Sequence, residues 1–253
     1  GGAMVKGLAS AGTRLAPPPR LDPAADALFL DFDGTLAAIA PTPDAVTLSP
    51  GMRAALADLP ARLSGRVAIV SGRPVAALLA MLGFDGLHLV GVHGLEQRAP
   101  FGQTHSPAPA PGLAEATQAL EALASRAEGL LVERKRLSVA LHYRLAPAME
   151  PQARAAAEEL AERHGLALQT GKMVLELRTP GADKGSAVTE LMGEPPFRGF
   201  RPVFVGDDDT DEHAFAAVAR LGGHGIRVGT PAGETSAAHA LADVEAVAAW
   251  LRA

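Results

Sequence analysis

The chain has no cysteine, which excludes disulfides, thiolate-held zinc and cysteine nucleophiles at once. Aromatic residues make up only 4% of it, with one tryptophan and one tyrosine, so the interior has to be built mainly from leucine, valine and alanine. Positive charge is not in excess either. The formal net charge is -5, and without a broad positive field no nucleic acid and no anionic membrane surface is expected as a partner. An anionic ligand would have to be held by local groups. No apolar run approaches the ~20 residues that a membrane span needs, and Met4 to Arg20 lacks the continuous apolar segment of a secretory signal. Residues 1–25, rich in small residues and proline, are expected to form a flexible leader, with Gly1, Gly2 and Ala3 ahead of Met4, which reads as the initiator. A cytoplasmic monomer is the default expectation.

At 253 residues the chain suits one large domain or a core with a modest insert, because single cores stop growing near ~250–300 residues. Short apolar runs at Ala27–Leu30, Val67–Val70, Leu87–Val90 and Val203–Val205 end in polar or glycine turns, each with a helix-like segment nearby. Such runs suit strands buried on both faces, and their alternation with helices predicts a doubly wound parallel sheet. In that architecture ligands bind beyond the carboxyl ends of the strands. The proline-rich stretch from Pro100 to Pro111 reads as a boundary. Beyond it, a helix over Leu113–Ala127, strands at Leu130–Arg134 and Ser138–Tyr143, a helix over Pro151–His164 and strands at Ala167–Thr170 and Met173–Leu177 predict an α+β insert. The core would then comprise 26–100 and 181–253, and the insert 101–180.

Four clusters at strand ends or helix starts carry chemistry. Asp31 and Asp33 in Asp31-Phe-Asp33-Gly-Thr35 follow the first apolar run. Two like charges so close raise one pKa strongly, whereas a hard divalent cation with oxygen ligands keeps both available, which implies magnesium. Read alone, the motif is equally a strand-ending turn. A second acidic cluster, Gly206-Asp207-Asp208-Asp209-Thr210-Asp211-Glu212, ends another strand and strengthens the metal reading, although acids at a helix start also suit the macrodipole. Ser71-Gly72-Arg73-Pro74 offers a hydroxyl, a backbone N–H and a guanidinium to a phosphate, or a serine cap to a helix. Lys184 stands in the first turn of a predicted helix, where the dipole disfavours a cation unless something negative faces it. A phosphate would supply that charge.

In order along the chain, these four motifs resemble those of the haloacid dehalogenase (HAD) superfamily of phosphatases. The resemblance implies a Rossmann-like core in which Asp31 attacks phosphorus to form an aspartyl-phosphate and Asp33 serves as general acid and base. It further implies Mg2+ held by Asp31, the Asp33 carbonyl and Asp207, with Asp208 and Asp211 orienting water at the metal. Ser71 and Lys184 would hold the phosphoryl oxygens, and Thr35, Gly72, Arg73 and His93 would contact substrate.

A closer similarity lies in Gly91-Val-His93-Gly94-Leu-Glu96, Glu133-Arg-Lys135, Leu141-His142-Tyr143-Arg144, Gly171-Lys172, Glu176 and the full Gly-Asp-Asp-x-Thr-Asp-Glu. These resemble trehalose-6-phosphate phosphatases from about Ala27 to the end of the chain. The insert would be a cap, with Glu133, Lys135, Arg144, Lys172 and Glu176 gripping the distal sugar of trehalose 6-phosphate. The charges of the insert are also what solvated turns carry. The core motifs alone do not separate this substrate from sucrose phosphate or mannosylglycerate phosphate, nor hydrolysis from phosphosugar mutase chemistry. A non-catalytic sensor would need neither nucleophile nor acid.

Overall fold

The computed structural model describes residues 14–253. They form two compact units, one of 14–106 together with Ala182–Ala253, the other Pro107–Gly181. The first contains β1 (Asp26–Leu30), α1 (Pro50–Arg62), β2 (Val67–Val70), α2 (Val75–Leu82), β3 (His88–Gly91) and β4 (Glu96–Arg98). The second contains α3 (Leu113–Ser125), β5 (Leu131–Arg134), β6 (Ser138–His142), α4 (Glu150–His164), β7 (Ala167–Gly171) and β8 (Val174–Arg178). The chain then returns to the first unit with α5 (Lys184–Met192), β9 (Arg201–Gly206), α6 (Glu212–Arg220), β10 (His224–Val228), β11 (His239–Leu241) and α7 (Val244–Arg252).

The sheet of the first unit runs β11-β10-β9-β1-β2-β3-β4. Every pairing is parallel except that of β4, which folds back antiparallel on β3. Both faces are covered, which is why the strands read as unbroken apolar runs. Leu28 and Leu30 of β1 point to one face, where they join Met52, Leu56 and Leu59 of α1, Leu78 of α2 and Val247 and Leu251 of α7. Ala27 and Phe29 point to the other, against Val188 and Leu191 of α5 and Phe215 and Val218 of α6. The expected doubly wound α/β architecture is therefore present.

Residues 1–13 of the expected flexible leader lie outside the described residues. Over 14–25 the expectation needs correction. Leu21 is buried in the core cluster, Leu15 packs against the opposite one, and the Trp250 indole donates to the Pro19 carbonyl at 2.8 Å. Apolar side chains at intervals anchor a proline-rich segment without giving it a periodic pattern.

In the second unit a four-stranded antiparallel sheet, β5-β6-β8-β7, buries one face. Val139, Leu141, Leu175 and Leu177 pack against Leu113, Ala116 and Leu120 of α3 and Ala153, Ala157 and Leu160 of α4. The alternate residues face away from the helices, so one row across the sheet runs Glu133, Ala140, Glu176, Gln169. Among the described residues no helix is long and apolar enough to cross a membrane.

Candidate active site

Three adjacent strands bring the motifs together. Because β1 lies between β9 and β2 and all three run parallel, Asp31, Asp207 and Ser71 leave the sheet at neighbouring carboxyl ends. Asp31 is 5% exposed. One oxygen each of Asp31, Asp207 and Asp211 come within 4.8 Å of one another. The Lys184 ammonium, itself buried, donates to Asp31 Oδ1 at 3.1 Å and to Asp211 Oδ1 at 2.8 Å. These carboxylates offset the lysine at the start of α5.

Burial is the main force on these acids. It pushes Asp31 up to about 7, with Lys184 pulling back, and Asp211 up to about 8, with the Asp31 charge adding to the rise. Burial raises Asp207 as well. For Lys184 burial pulls downward, but Asp31 and Asp211 outweigh it and hold the ammonium above its ordinary value. Two buried carboxyls and the half-buried Asp207 beside one ammonium carry more negative charge than it neutralises, and all offer hard oxygen donors. That set fits a divalent cation such as Mg2+. The backbone leaves room for the Asp207 carboxylate: Gly34 has φ +80°, and a Cβ there would lie 2.0 Å from Asp207 Oδ2. Thr35, expected at the substrate, is buried and donates from Oγ1 to Asp207 Oδ1 at 3.3 Å.

The acidic loop after β9 divides its work. Asp211 Oδ2 accepts the Asp208 N–H at 3.0 Å, while the Asp208 side chain caps the short turn of Asp209–Asp211 and accepts Thr210 Oγ1 at 3.1 Å. Asp211 thus serves both the capping box and the acidic cluster. Glu212 and Arg227, which the sequence reading left without a role, meet behind this loop. The sequence carried no signal of that meeting, because β10 does not read as a strand in it.

Around Asp33 the arrangement differs from the expectation for Arg73. The guanidinium grips Asp33 through Nε–Oδ2 and Nη2–Oδ1, both 2.7 Å, and also donates to the Pro43 carbonyl. It is committed to a carboxylate, as its fork geometry favours. The Asp33 bond raises Arg73 above its usual range. Ser71 is buried, and its Oγ accepts the Arg73 N–H at 3.0 Å instead of capping α2. The first N–H of α2, that of Val75, is met by Glu96 at 3.0 Å. His93 sits against Gly72, where a Cβ would lie 2.5 Å from the His93 Nε2.

In the second unit Glu133 pairs with His142 Nε2 at 2.9 Å and Lys135 with Glu176 at 3.2 Å. Lys172 is exposed in the two-residue turn between β7 and β8, and Arg144 is exposed just beyond β6. Glu133 and Glu176 share the open sheet face, with the small Ala140 between them.

Known proteins are similar to this chain in sequence and in architecture. A probable trehalose-phosphate phosphatase of Sinorhizobium fredii is 40% identical over 223 residues, 87% of this chain and 84% of that protein. The trehalose-6-phosphate phosphatase of Escherichia coli is 39% identical over 227 residues, covering 89% of this chain and 85% of its own. A crystal structure of a trehalose-6-phosphate phosphatase related protein superposes with a TM-score of 0.72 at 32% identity, over 89% of this chain and 95% of that one. A Bacillus subtilis haloacid dehalogenase-like hydrolase, 15% identical over 89% of this chain and 99% of that one, shares the fold with a TM-score of 0.64. The model of the Trehalose-phosphatase family matches residues 29–246, and the chain belongs to that family.

Proposed function

We propose that the chain hydrolyses trehalose 6-phosphate to trehalose and phosphate with Mg2+, through an aspartyl-phosphate on Asp31. The observation that carries this reading is the buried meeting of Asp31, Asp207, Asp211 and Lys184 in a chain of the Trehalose-phosphatase family. Asp31 and Asp207, with the Asp33 carbonyl, would hold Mg2+. When bound, the cation supplies positive charge that keeps these carboxylates ionised and offsets charge on the phosphoryl group.

An Asp31 carboxylate oxygen attacks phosphorus as the bond from phosphorus to the sugar oxygen breaks. Asp33 gives its proton to the departing sugar oxygen. In the second step Asp33 takes a proton from water, whose oxygen bonds to phosphorus while the Asp31 ester bond breaks and phosphate leaves. Arg73 occupies both oxygens of Asp33, so Asp33 takes up its proton as one of these two bonds opens, the other keeping the carboxyl in place. Lys184 and Ser71 orient the phosphoryl oxygens, the positioning on which phosphoryl transfer chiefly rests. Asp211 holds Lys184 in place, and Glu133, Lys135, Lys172 and Glu176 read the distal sugar.

Phosphate release measured over a panel of disaccharide and monosaccharide phosphates, with Mg2+ and with excess chelator, tests the whole reading. Trehalose 6-phosphate is expected to be the best substrate, with turnover lost in chelator. Equal rates with and without the cation, or a clear preference for another sugar phosphate, would overturn it.

A further inference from the structure

Arg227 is an unusual occupant of a central strand. It sits on β10 directly beside Gly206, the residue before Asp207, and only 4% of it is exposed. A buried guanidinium is costly unless charge and hydrogen bonds surround it. Here it faces the loop carrying Asp207 and Asp211 from behind. Its Nη1 lies 3.4 Å from Glu212 Oε2 and 3.5 Å from the Asp208 carbonyl, and its Nη2 lies 3.6 Å from Asp209 Oδ1. Its Nε has no hydrogen-bond partner among the described residues.

Glu212 ties the same loop to a second segment. Its Oε2 also accepts Thr235 Oγ1 at 2.9 Å, and its Oε1 accepts the Ser236 N–H at 2.8 Å. Thr235 is buried, and its Oγ1 accepts the Ala237 N–H in turn. The loop is therefore clamped between a sheet-borne cation and the segment leading to β11. There is little slack in front: a Cβ on Gly206 would lie 2.4 Å from the Asp211 carboxyl. A loop shift of a few tenths of an ångström would move Asp207 and Asp211 relative to Asp31.

We propose that Arg227 and Glu212 are positioning residues, a charged strut behind the acidic loop that sets the spacing of the Asp207 and Asp211 carboxylates for a divalent cation. The proposal rests on the metal reading of the site given above. Neither residue touches the reacting atoms, so each acts on cation affinity more than on the chemical step. Hard cations demand near-fixed ligand geometry, and partners that orient ligands typically change affinity by roughly 10–100-fold when lost.

The test is calorimetric titration of Mg2+ alone into the purified full chain, without substrate, for the parent, Arg227→Lys and Glu212→Gln. Glu212→Gln keeps the size while removing the charge, and Arg227→Lys keeps the charge on a shorter side chain with fewer donors, so folding is expected to survive in both. Thermal midpoints in chelator verify this. The Mg2+ dissociation constant is expected to rise roughly tenfold in each variant, with the same displacement in the Mg2+ dependence of phosphate release. At saturating Mg2+ kcat should return to within about twofold of the parent, and the midpoint in chelator should stay near the parent's. Mg2+ affinity undiminished in both variants, beside a parent that binds, overturns the strut alone. An equal fall in chelator midpoint and activity that Mg2+ does not rescue also overturns it, by showing a purely structural role. A parent that binds no Mg2+ overturns the cation reading itself, and the strut with it.

Discussion

Asp31 and Lys184 are held in a mutual dependence that single substitutions can expose. The ammonium is almost wholly enclosed, and its two partners are carboxylates that burial alone would drive toward the neutral form. Asp31→Asn keeps the volume and the fold while removing both the nucleophile and an anionic ligand. Turnover should fall by roughly 10⁴-fold or more, with far-ultraviolet dichroism unchanged. A variant that keeps a tenth of the parent rate would refute the nucleophile assignment. Lys184→Met removes the cation that bridges Asp31 and Asp211 and should lower kcat by roughly 10²–10³-fold, the scale of losing a preorganised donor to a developing anion. Raising Mg2+ should not restore it, because on the proposed reading Lys184 holds phosphoryl oxygens and is not a ligand of the cation. Gly34 offers a steric test of the same site. At φ +80° alanine is disfavoured, and its Cβ would displace the Asp207 carboxylate outright, so Gly34→Ala should raise the Mg2+ needed for half-maximal activity by at least about tenfold.

At the scale of elements, the antiparallel edge strand β4 shows what holds a short strand without an apolar run. Arg98 of β4 pairs twice with Asp85, at 2.9 and 2.7 Å, and the Phe101 N–H adds a third bond at 3.2 Å. The Arg98 hydrogen bonds hold the Asp85 carboxyl down at about 2. A carboxyl lowered in the folded state stabilises it fully above its unfolded value near 4, and that contribution is lost as pH falls through 2. Asp85→Asn should therefore lower the unfolding free energy at pH 7 by an amount on the order of 1 kcal/mol, the pair being partly exposed. Its stability between pH 4 and pH 2 should be flatter than the parent's. Parallel stability curves for the two proteins would remove the pair from the account. Strand β4 was not legible in the sequence for the same reason: Glu96, Gln97 and Arg98 are recognisable as a strand only once Asp85 and β3 are beside them. Strands β10 and β11 escaped too, since buried Arg227 interrupts His224–Val228 and three half-buried residues make up the other. By contrast β1, β2 and β9 were legible, because burial on both faces leaves apolar residues at every position. Site positions were legible as motifs, while partner choices were not. That Arg73 grips Asp33, or that the turn after β3 places Val92 and His93 both at positive φ, depends on residues distant in sequence or on strain that the surrounding fold sustains.

For the whole molecule, the division into two units separates chemistry from recognition on the proposed reading, and the two can be measured apart. The described cluster of three acids lies in the first unit, whereas the open sheet face of the second gathers Glu133, Glu176 and Lys135, with Lys172 at its turn. Those side chains satisfy one another partially: Glu133 with His142, Glu176 with Lys135. A disaccharide would replace these pairs with hydroxyl contacts, which a shorter sugar cannot make. Glucose 6-phosphate should accordingly be a poor substrate. Binding energy from the distal sugar acts at the reacting phosphate, so Glu133→Ala, Lys172→Ala and Glu176→Ala should each cut kcat/KM for trehalose 6-phosphate by roughly tenfold or more. Against a small aryl phosphate, which has no second sugar to present, the same variants should change little. The ratio of the two losses is the informative quantity. Losses equal for both substrates would mean that these residues serve folding or catalysis in general, and sugar recognition would then have to be sought on another surface.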